Sequence, residues 1–196
     1  MATGSPSDVA AVVVDLAGRR APAAGGTRLV CIDGPAGSGK TTLAAEVATL
    51  TGAQVVHGDD LMSGWRGLDA VGRQLAALVD DLASGRDAAY DRFDWHADRY
   101  TDRVSVPAAP WLVVEGVGSG ARAAAWACTV LVWVEATEDL RLVRGLERDG
   151  EQMRDHWLQF VEDERALFAA EGTRSRADVL VDGTGRTPPR VRPTPS

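Results

Sequence analysis

A single lysine stands in this chain, Lys40, within Gly34-Pro35-Ala36-Gly37-Ser38-Gly39-Lys40-Thr41. The chain holds 21 Lys and Arg in total, and all the others are Arg. The octet matches G-x-x-x-x-G-K-[ST], the phosphate-binding loop, and it constrains the fold because such a loop needs a buried strand before it and a helix after it. Both flanks comply. Arg28-Leu29-Val30-Cys31-Ile32-Asp33 is a short apolar run. From Thr41 to Leu50 the residues Leu43, Val47 and Leu50 share one helical face, and Gly52 supplies a stop. The backbone of Gly34, Pro35, Ala36, Gly37, Ser38, Gly39, Lys40, Thr41 and Thr42 is expected to curl around a triphosphate. A compact ammonium on a flexible stem reaches β/γ oxygens that a planar guanidinium is too bulky to reach, and the Thr41 hydroxyl is placed for Mg²⁺.

At 196 residues the chain fits one domain with one good core. A formal charge of −7 and a pI near 5.0 leave no basic surplus to displace the counterions of a nucleic acid, so the bound polyanion is expected to be small. Cys31 and Cys128 lie in apolar, strand-like runs, as buried reduced thiols do, and give no disulfide framework. No basic segment precedes an apolar one near Met1, and no run approaches the ~20 apolar residues of a membrane span. A cytoplasmic chain without membrane or nucleic-acid partners is expected, and a homodimer stays open.

Along the chain, Val9, Val12, Val13 and Leu16 recur at helical spacing between Ser7 and Gly18, followed by an Ala/Gly/Pro linker to Thr27, so residues 1–27 lead into the main domain. A second strand, Gln54-Val55-Val56-His57, ends at Gly58-Asp59-Asp60, and a helix is predicted from Leu68 to Leu82. Residues 84–110 lack periodicity yet are aromatic, as a functional loop is. Three more strands follow, Trp111–Glu115, Val130–Val134 and Val179–Val181, with helices expected over 137–148 and 151–171. Continuous apolar strands alternating with helices imply an α/β domain over 28–183: a parallel sheet covered on both faces. The Thr/Pro/Arg tail, 184–196, is expected to be disordered.

Ligands of an open parallel sheet bind outside the carboxyl ends of its strands, where the phosphate loop, Asp59/Asp60 and Glu115 converge. A carboxylate there can take a proton from an attacking hydroxyl, which makes Asp59 or Asp60 a candidate base; the alternative is a helix N-cap. Glu115, ending an apolar strand, is a candidate with Thr41 for holding Mg²⁺ and its waters. Arg141, Arg144 and Arg148 fall on one helical face, as a lid that clamps phosphate oxygens or as a solvated face. Tyr90, Phe93, Trp95 and Tyr100 can stack an acceptor ring or fill core, while Asp91, Asp94 and His96 can bind its hydroxyls. His57 and His156 read as structural, and the three histidines lack metal-site spacing.

Taken together, these residues resemble the phosphate-loop kinases of the uridine kinase and nicotinamide riboside kinase group. Four stretches carry the likeness: Gly34 to Thr42, His57-Gly58-Asp59-Asp60-Leu61, Val114-Glu115-Gly116-Val117 and Arg141 to Asp149. The resemblance implies a three-layer P-loop NTPase fold with a five-stranded parallel sheet ordered 2-3-1-4-5 and a helical lid over about 137–152. It further implies ATP with Mg²⁺ and transfer to a ribose primary hydroxyl. By position Asp59 is then the base. Lys40, Arg144 and Arg148 are taken as the catalytic cations and Asp60, Tyr90, Phe93, Asp94, Trp95 and His96 as the acceptor site on the residues themselves, since the segment Tyr90 to His96 has a sequence of its own and not the group's. The chain departs from the group at Leu61-Met62, where aromatics are usual, and at Gly150-Glu151-Gln152, which replaces an arginine-rich stretch.

The lone lysine excludes the Asn-Lys-x-Asp motif of guanine specificity and the second lysine of a protein kinase. Three functions stay open: a kinase of small hydroxyl compounds, a nucleoside monophosphate kinase using Arg66, Arg73, Arg92 and Arg99, and an ATP-binding regulatory module without transfer.

Overall fold

In the computed structural model, residues 4–193 are described. The strands among them are β1 (Arg28–Asp33), β2 (Gln54–His57), β3 (Ala88–Asp94), β4 (Arg99–Val106), β5 (Trp111–Glu115), β6 (Cys128–Glu135), β7 (Val179–Asp182) and β8 (Arg190–Val191). The helices are α1 (Pro6–Gly18), α2 (Lys40–Thr51), α3 (Gly58–Leu61), α4 (Leu68–Ala83), α5 (Glu138–Asp149), α6 (Arg154–Glu171) and α7 (Thr173–Arg176). One sheet runs β2-β5-β1-β6-β7-β8. Its first five strands are parallel, in the order expected from the sequence, and β8 pairs antiparallel to β7 at the edge.

The strands read as unbroken apolar runs because both faces are covered. Val30 and Ile32 of β1 face a core with Val9, Val13 and Ala17 of α1 and Leu43, Ala44 and Val47 of α2. Leu29 and Cys31 face the opposite core, with Val71, Leu75, Leu78 and Val79 of α4 and Phe160 of α6. The leading helix is thus packed into the domain. Ser5 caps it, its hydroxyl accepting the Asp8 N–H at 3.3 Å, and Pro6 fits the first turn, where no N–H is needed. Leu50, expected on the buried face of α2, is exposed; the buried face is Leu43, Ala44 and Val47. Cys31 is buried, Cys128 is half-buried, and both are free thiols.

Two further expectations change. The stretch 84–110 is not irregular: β3 and β4 form an antiparallel ribbon from Ala88↔Val106 to Asp94↔Arg99. Its alternation is hidden because only β3 turns a face inward, through Ala88, Tyr90 and Phe93, while β4 is exposed along nearly its whole length and a bulge breaks the register between Arg92 and Phe93. The segment after Gly183 is ordered as far as it is described. The Asp182 carboxylate accepts from Thr184 and Thr187, and Val191 reaches Val179 in the sheet. Residues 194–196 of the expected tail lie outside the described residues. Among the described residues no helix is long and apolar enough to cross a membrane.

What positions the site is register. His57 of β2 lies beside Glu115 of β5, and Ile32 of β1 beside the same Glu115, so three strand ends finish level under one loop. Because α1 seals the back of this arrangement, Val13→Asp, which places an unpaired charge at a site with no exposure, is expected to lower unfolding free energy by about 3 kcal/mol or more. Urea denaturation checks this, with an unchanged slope and an earlier midpoint.

Candidate active site

The loop between β1 and α2 is fixed first by a buried acid. Asp33 accepts the N–H groups of Gly34 (2.7 Å), Gly118 (2.9 Å) and Gly120 (2.8 Å), tying the phosphate loop to the glycine-rich loop after β5. Burial pushes its carboxyl up to about 6, against the pull of those amides and Lys40. Gly34 has φ 142°, and a Cβ there would collide with the carbonyl oxygen of Val134, so only glycine fits.

Three successive carbonyls of the loop are each held by a cation. Lys40 Nζ donates to Pro35 O at 2.9 Å, Arg141 Nη1 to Ala36 O at 3.2 Å and Arg144 Nη1 to Gly37 O at 3.1 Å. Since the two polar groups of a trans peptide point in opposite directions, carbonyls held by α5 leave the next amides, of Gly37 and Ser38, facing away from that helix. Arg144 also donates to Gly183 O at 3.2 Å. Arg141 is not a solvated or phosphate-facing arginine: it is buried and paired at 2.7 Å with buried Glu164 of α6, whose other oxygen accepts the Ala36 N–H at 2.7 Å.

The acids stand opposite. Thr41 Oγ1 donates to Glu115 Oε1 at 3.2 Å, and His57 Nδ1 lies 2.7 Å from the same oxygen. That contact raises the His57 pKa, so His57 orients Glu115 and is more than filler. Burial lowers the Lys40 ammonium, opposed by Glu115, Asp33 and Asp59. Asp59, on α3, keeps an exposed surface toward the cleft. The protein crowded around it pushes its carboxyl up, Lys40 pulls it down and Glu115 pushes it up again. Its neighbour Asp60 is engaged by the Tyr90 hydroxyl at 3.2 Å, and burial with that acid pushes the Tyr90 phenol up to about 12.

Lys40, Thr41, Asp59, Asp60 and Glu115 line a cleft of about 670 Å³. Of the residues expected to hold an acceptor, Asp60, Trp95 and His96 line it. Tyr90, Phe93 and Asp94 do not. Tyr90 and Phe93 are buried on the inner face of β3, where Phe93 props Trp95 edge-on with centroids 5.5 Å apart. Asp94 closes the ribbon's turn by accepting the N–H groups of His96 and Ala97. Trp95 is anchored by its indole N–H to Asp59 O at 3.2 Å. The other wall is Trp65, Trp157 and Phe160, which sequence reasoning missed. A signal existed for Trp65, a large ring inside the turn-rich Ser63-Gly64-Trp65-Arg66-Gly67. Trp157 and Phe160 sit three residues apart on α6, where their spacing alone is that of any apolar helix face.

Arg148 lines the cleft, engages Asp149 at 2.7 Å and stands 5.8 Å over the Trp157 ring. Arg66, Arg73, Arg92 and Arg99 do not line it; Arg73 pairs with Asp69 and Arg92 with Asp102.

The loop fits a phosphate chain on an observation of its own: Ser38 Oγ is fully buried without a hydrogen-bond partner among the described residues. Thr41 and Glu115, whose oxygens lie 3.2 Å apart beside Lys40, are the pair that would hold Mg²⁺ alongside phosphate oxygens.

Fold and cradle together define a three-layer α/β domain with a phosphate-binding loop. A candidate uridine kinase from Bacillus stearothermophilus superposes with a TM-score of 0.57 at 18% identity, over 80% of this chain and 89% of its own. A candidate fructose transport system kinase from Silicibacter sp. TM1040 gives 0.58 at 22% identity, over 88% and 98%. The likeness is one of fold, and the fold expected from the sequence is borne out. In sequence, a tRNA dimethylallyltransferase from Limosilactobacillus fermentum (strain NBRC 3956 / LMG 18251) is 29% identical over 164 residues, 76% of this chain and 48% of that protein. The chain thus spans about half the length of that curated relative. No family model matches the chain.

Removing the orphaned hydroxyl should separate stability from binding. Ser38→Ala is expected to leave the free protein as stable or to gain up to about 1 kcal/mol, while shrinking the rise in unfolding temperature produced by saturating ATP. Thermal denaturation with and without ATP reads both.

Proposed function

We propose that this protein is an ATP- and Mg²⁺-dependent phosphotransferase that moves the γ-phosphate onto a hydroxyl of a small, nucleoside-like acceptor of the uridine type, with Asp59 as general base. One observation carries this reading: Lys40, Thr41, Glu115 and Asp59 line the same cleft as the rings of Trp65, Trp95, Trp157 and Phe160. On the far side of Arg144 a smaller cavity of about 390 Å³, lined by Gly39, Thr42 and Gly183, accommodates the nucleoside part of ATP.

Bound Mg²⁺ supplies charge neutralisation at the phosphate oxygens. The chain's own residues do the rest. Asp59, whose carboxyl the cleft pushes toward greater basicity, takes the proton of the acceptor hydroxyl as its oxygen bonds to the γ-phosphorus and the bond to the β-bridging oxygen breaks. Lys40, Arg144 and Arg148 offset the charge leaving with ADP. The aromatic walls hold the acceptor's ring and exclude water, which otherwise competes as the nucleophile.

A nucleoside monophosphate is disfavoured, because Arg66, Arg73, Arg92 and Arg99, the arginines expected to grip its phosphate, do not line the cleft. A polynucleotide acceptor is disfavoured by the net charge of −7. A regulatory module without transfer is disfavoured because Asp59 opens onto the same cleft as Lys40 and Thr41, beside an aromatic wall that an ATP-binding switch does not need.

The test is an acceptor panel of nucleosides, their monophosphates and sugars with ATP. At least one unphosphorylated acceptor is expected to raise ADP formation well above background. Asp59→Asn should cut that rate by about 10²–10⁴-fold while leaving ATP affinity unchanged. An absence of product across the panel, or a fully active Asp59→Asn, would overturn the reading.

A further inference from the structure

The buried Arg141–Glu164 pair has no part in the transfer step, yet it is the most closely engaged ion pair against the loop. Both side chains are enclosed, Arg141 at 6% exposure and Glu164 at 2%. Between them they take both backbone polar groups of one residue: Glu164 accepts the Ala36 N–H at 2.7 Å and Arg141 donates to the Ala36 carbonyl at 3.2 Å, while the two close on each other at 2.7 Å. The backbone of α5 lies directly against the next residue, since a Cβ on Gly37 would meet the Arg141 carbonyl oxygen at 2.7 Å.

Such a pair is a poor device for stability. Desolvating two charges consumes what their attraction returns, and apolar replacements of similar volume are often neutral or better. Here the cost is raised further, because Arg141 Nε is buried with no partner among the described residues, and burial raises the Glu164 carboxyl against the pull of Ala36 and Arg141. What the pair delivers is geometry. A phosphate loop binds only if its amides hold one curvature, and fixing Ala36 at both ends fixes the peptides that lead into Gly37 and Ser38.

We propose that Arg141 and Glu164 are positioning residues that set the phosphate loop's grip on the nucleotide's phosphate chain, holding it from two helices that also wall the acceptor cleft. This rests on the loop being a nucleotide cradle and deepens that reading. On α5, Arg141 is one turn from Arg144 and Gly145; on α6, Glu164 is one turn from Phe160. The face that steadies the loop is therefore the face that lines the cleft.

The test replaces the pair by apolar residues, Arg141→Met/Glu164→Leu, and measures calorimetric affinities for ATP, ADP and AMP with Mg²⁺ beside thermal stability. The double variant is expected to unfold at or above the wild-type temperature. It is also expected to lose about tenfold or more in affinity for ATP and ADP, with AMP, which lacks the β- and γ-phosphates, nearly unaffected. Glu164→Gln keeps an oxygen for the Ala36 N–H and should lose less; it is the deciding variant if the double one does not fold. Wild-type ATP affinity in the deciding variant, or an AMP loss as large as that for ATP, overturns the proposal. A wild-type protein that binds ATP no better than AMP would instead sink the cradle reading itself, and this inference with it.

Discussion

A backbone loop that turns its amides toward an anion must send its carbonyls somewhere else, and in this protein that requirement organises everything around residues 34–40. The carbonyls of Pro35, Ala36 and Gly37 each find a different cation, from Lys40, Arg141 and Arg144. Those three carbonyls are thereby kept from the phosphates' place, and Lys40 and Arg144, which line the cleft, add positive charge beside it. The loop is therefore not a free-standing motif. It is a surface that two helices and one strand end hold in shape.

The acids divide along the same line. Asp33 and Glu164 are buried and hold amides of the scaffold, so their charge is absorbed by structure. Asp59 and Glu115 both line the cleft: Asp59 is exposed there, while Glu115 is buried and shares one oxygen between Thr41 and His57. Position on a strand end separates the two roles. Asp33 sits below the loop and Glu115 one strand over at the level of Ile32, although both are single carboxylates ending apolar runs.

Much of this was legible in the sequence because it depends on local pattern. The octet around Lys40, the apolar strands and the convergence of their ends carried the parallel α/β architecture, the strand order came with the family resemblance, and α1 was visible in the spacing of Val9, Val13 and Leu16. What escaped depends on partners far along the chain. Glu164 looks like any acid in a charged helix until Ala36, 128 residues away, is placed beside it. The β3–β4 ribbon hid because β4 is exposed up to its last residues, and Tyr90 and Phe93, which read equally well as ligands, are buried on the inner face of β3. Trp65 was passed over because a turn of Ser and Gly carries no periodicity. Arg141 misled for the opposite reason: its spacing matched Arg144 and Arg148, and spacing on a helix does not tell a buried partner from an open face.

The most direct measurement is a crystal structure of the protein with Mg²⁺ and a non-hydrolysable ATP analogue. The account predicts the phosphate chain within the curve of Gly37–Thr41, Lys40 Nζ released from Pro35 O and donating to phosphate oxygens, Ser38 Oγ no longer without a partner, and the Asp59 carboxylate facing the terminal phosphate. A nucleotide seated elsewhere, or Lys40 still bound to Pro35 O with Asp59 turned from the phosphate, would contradict it.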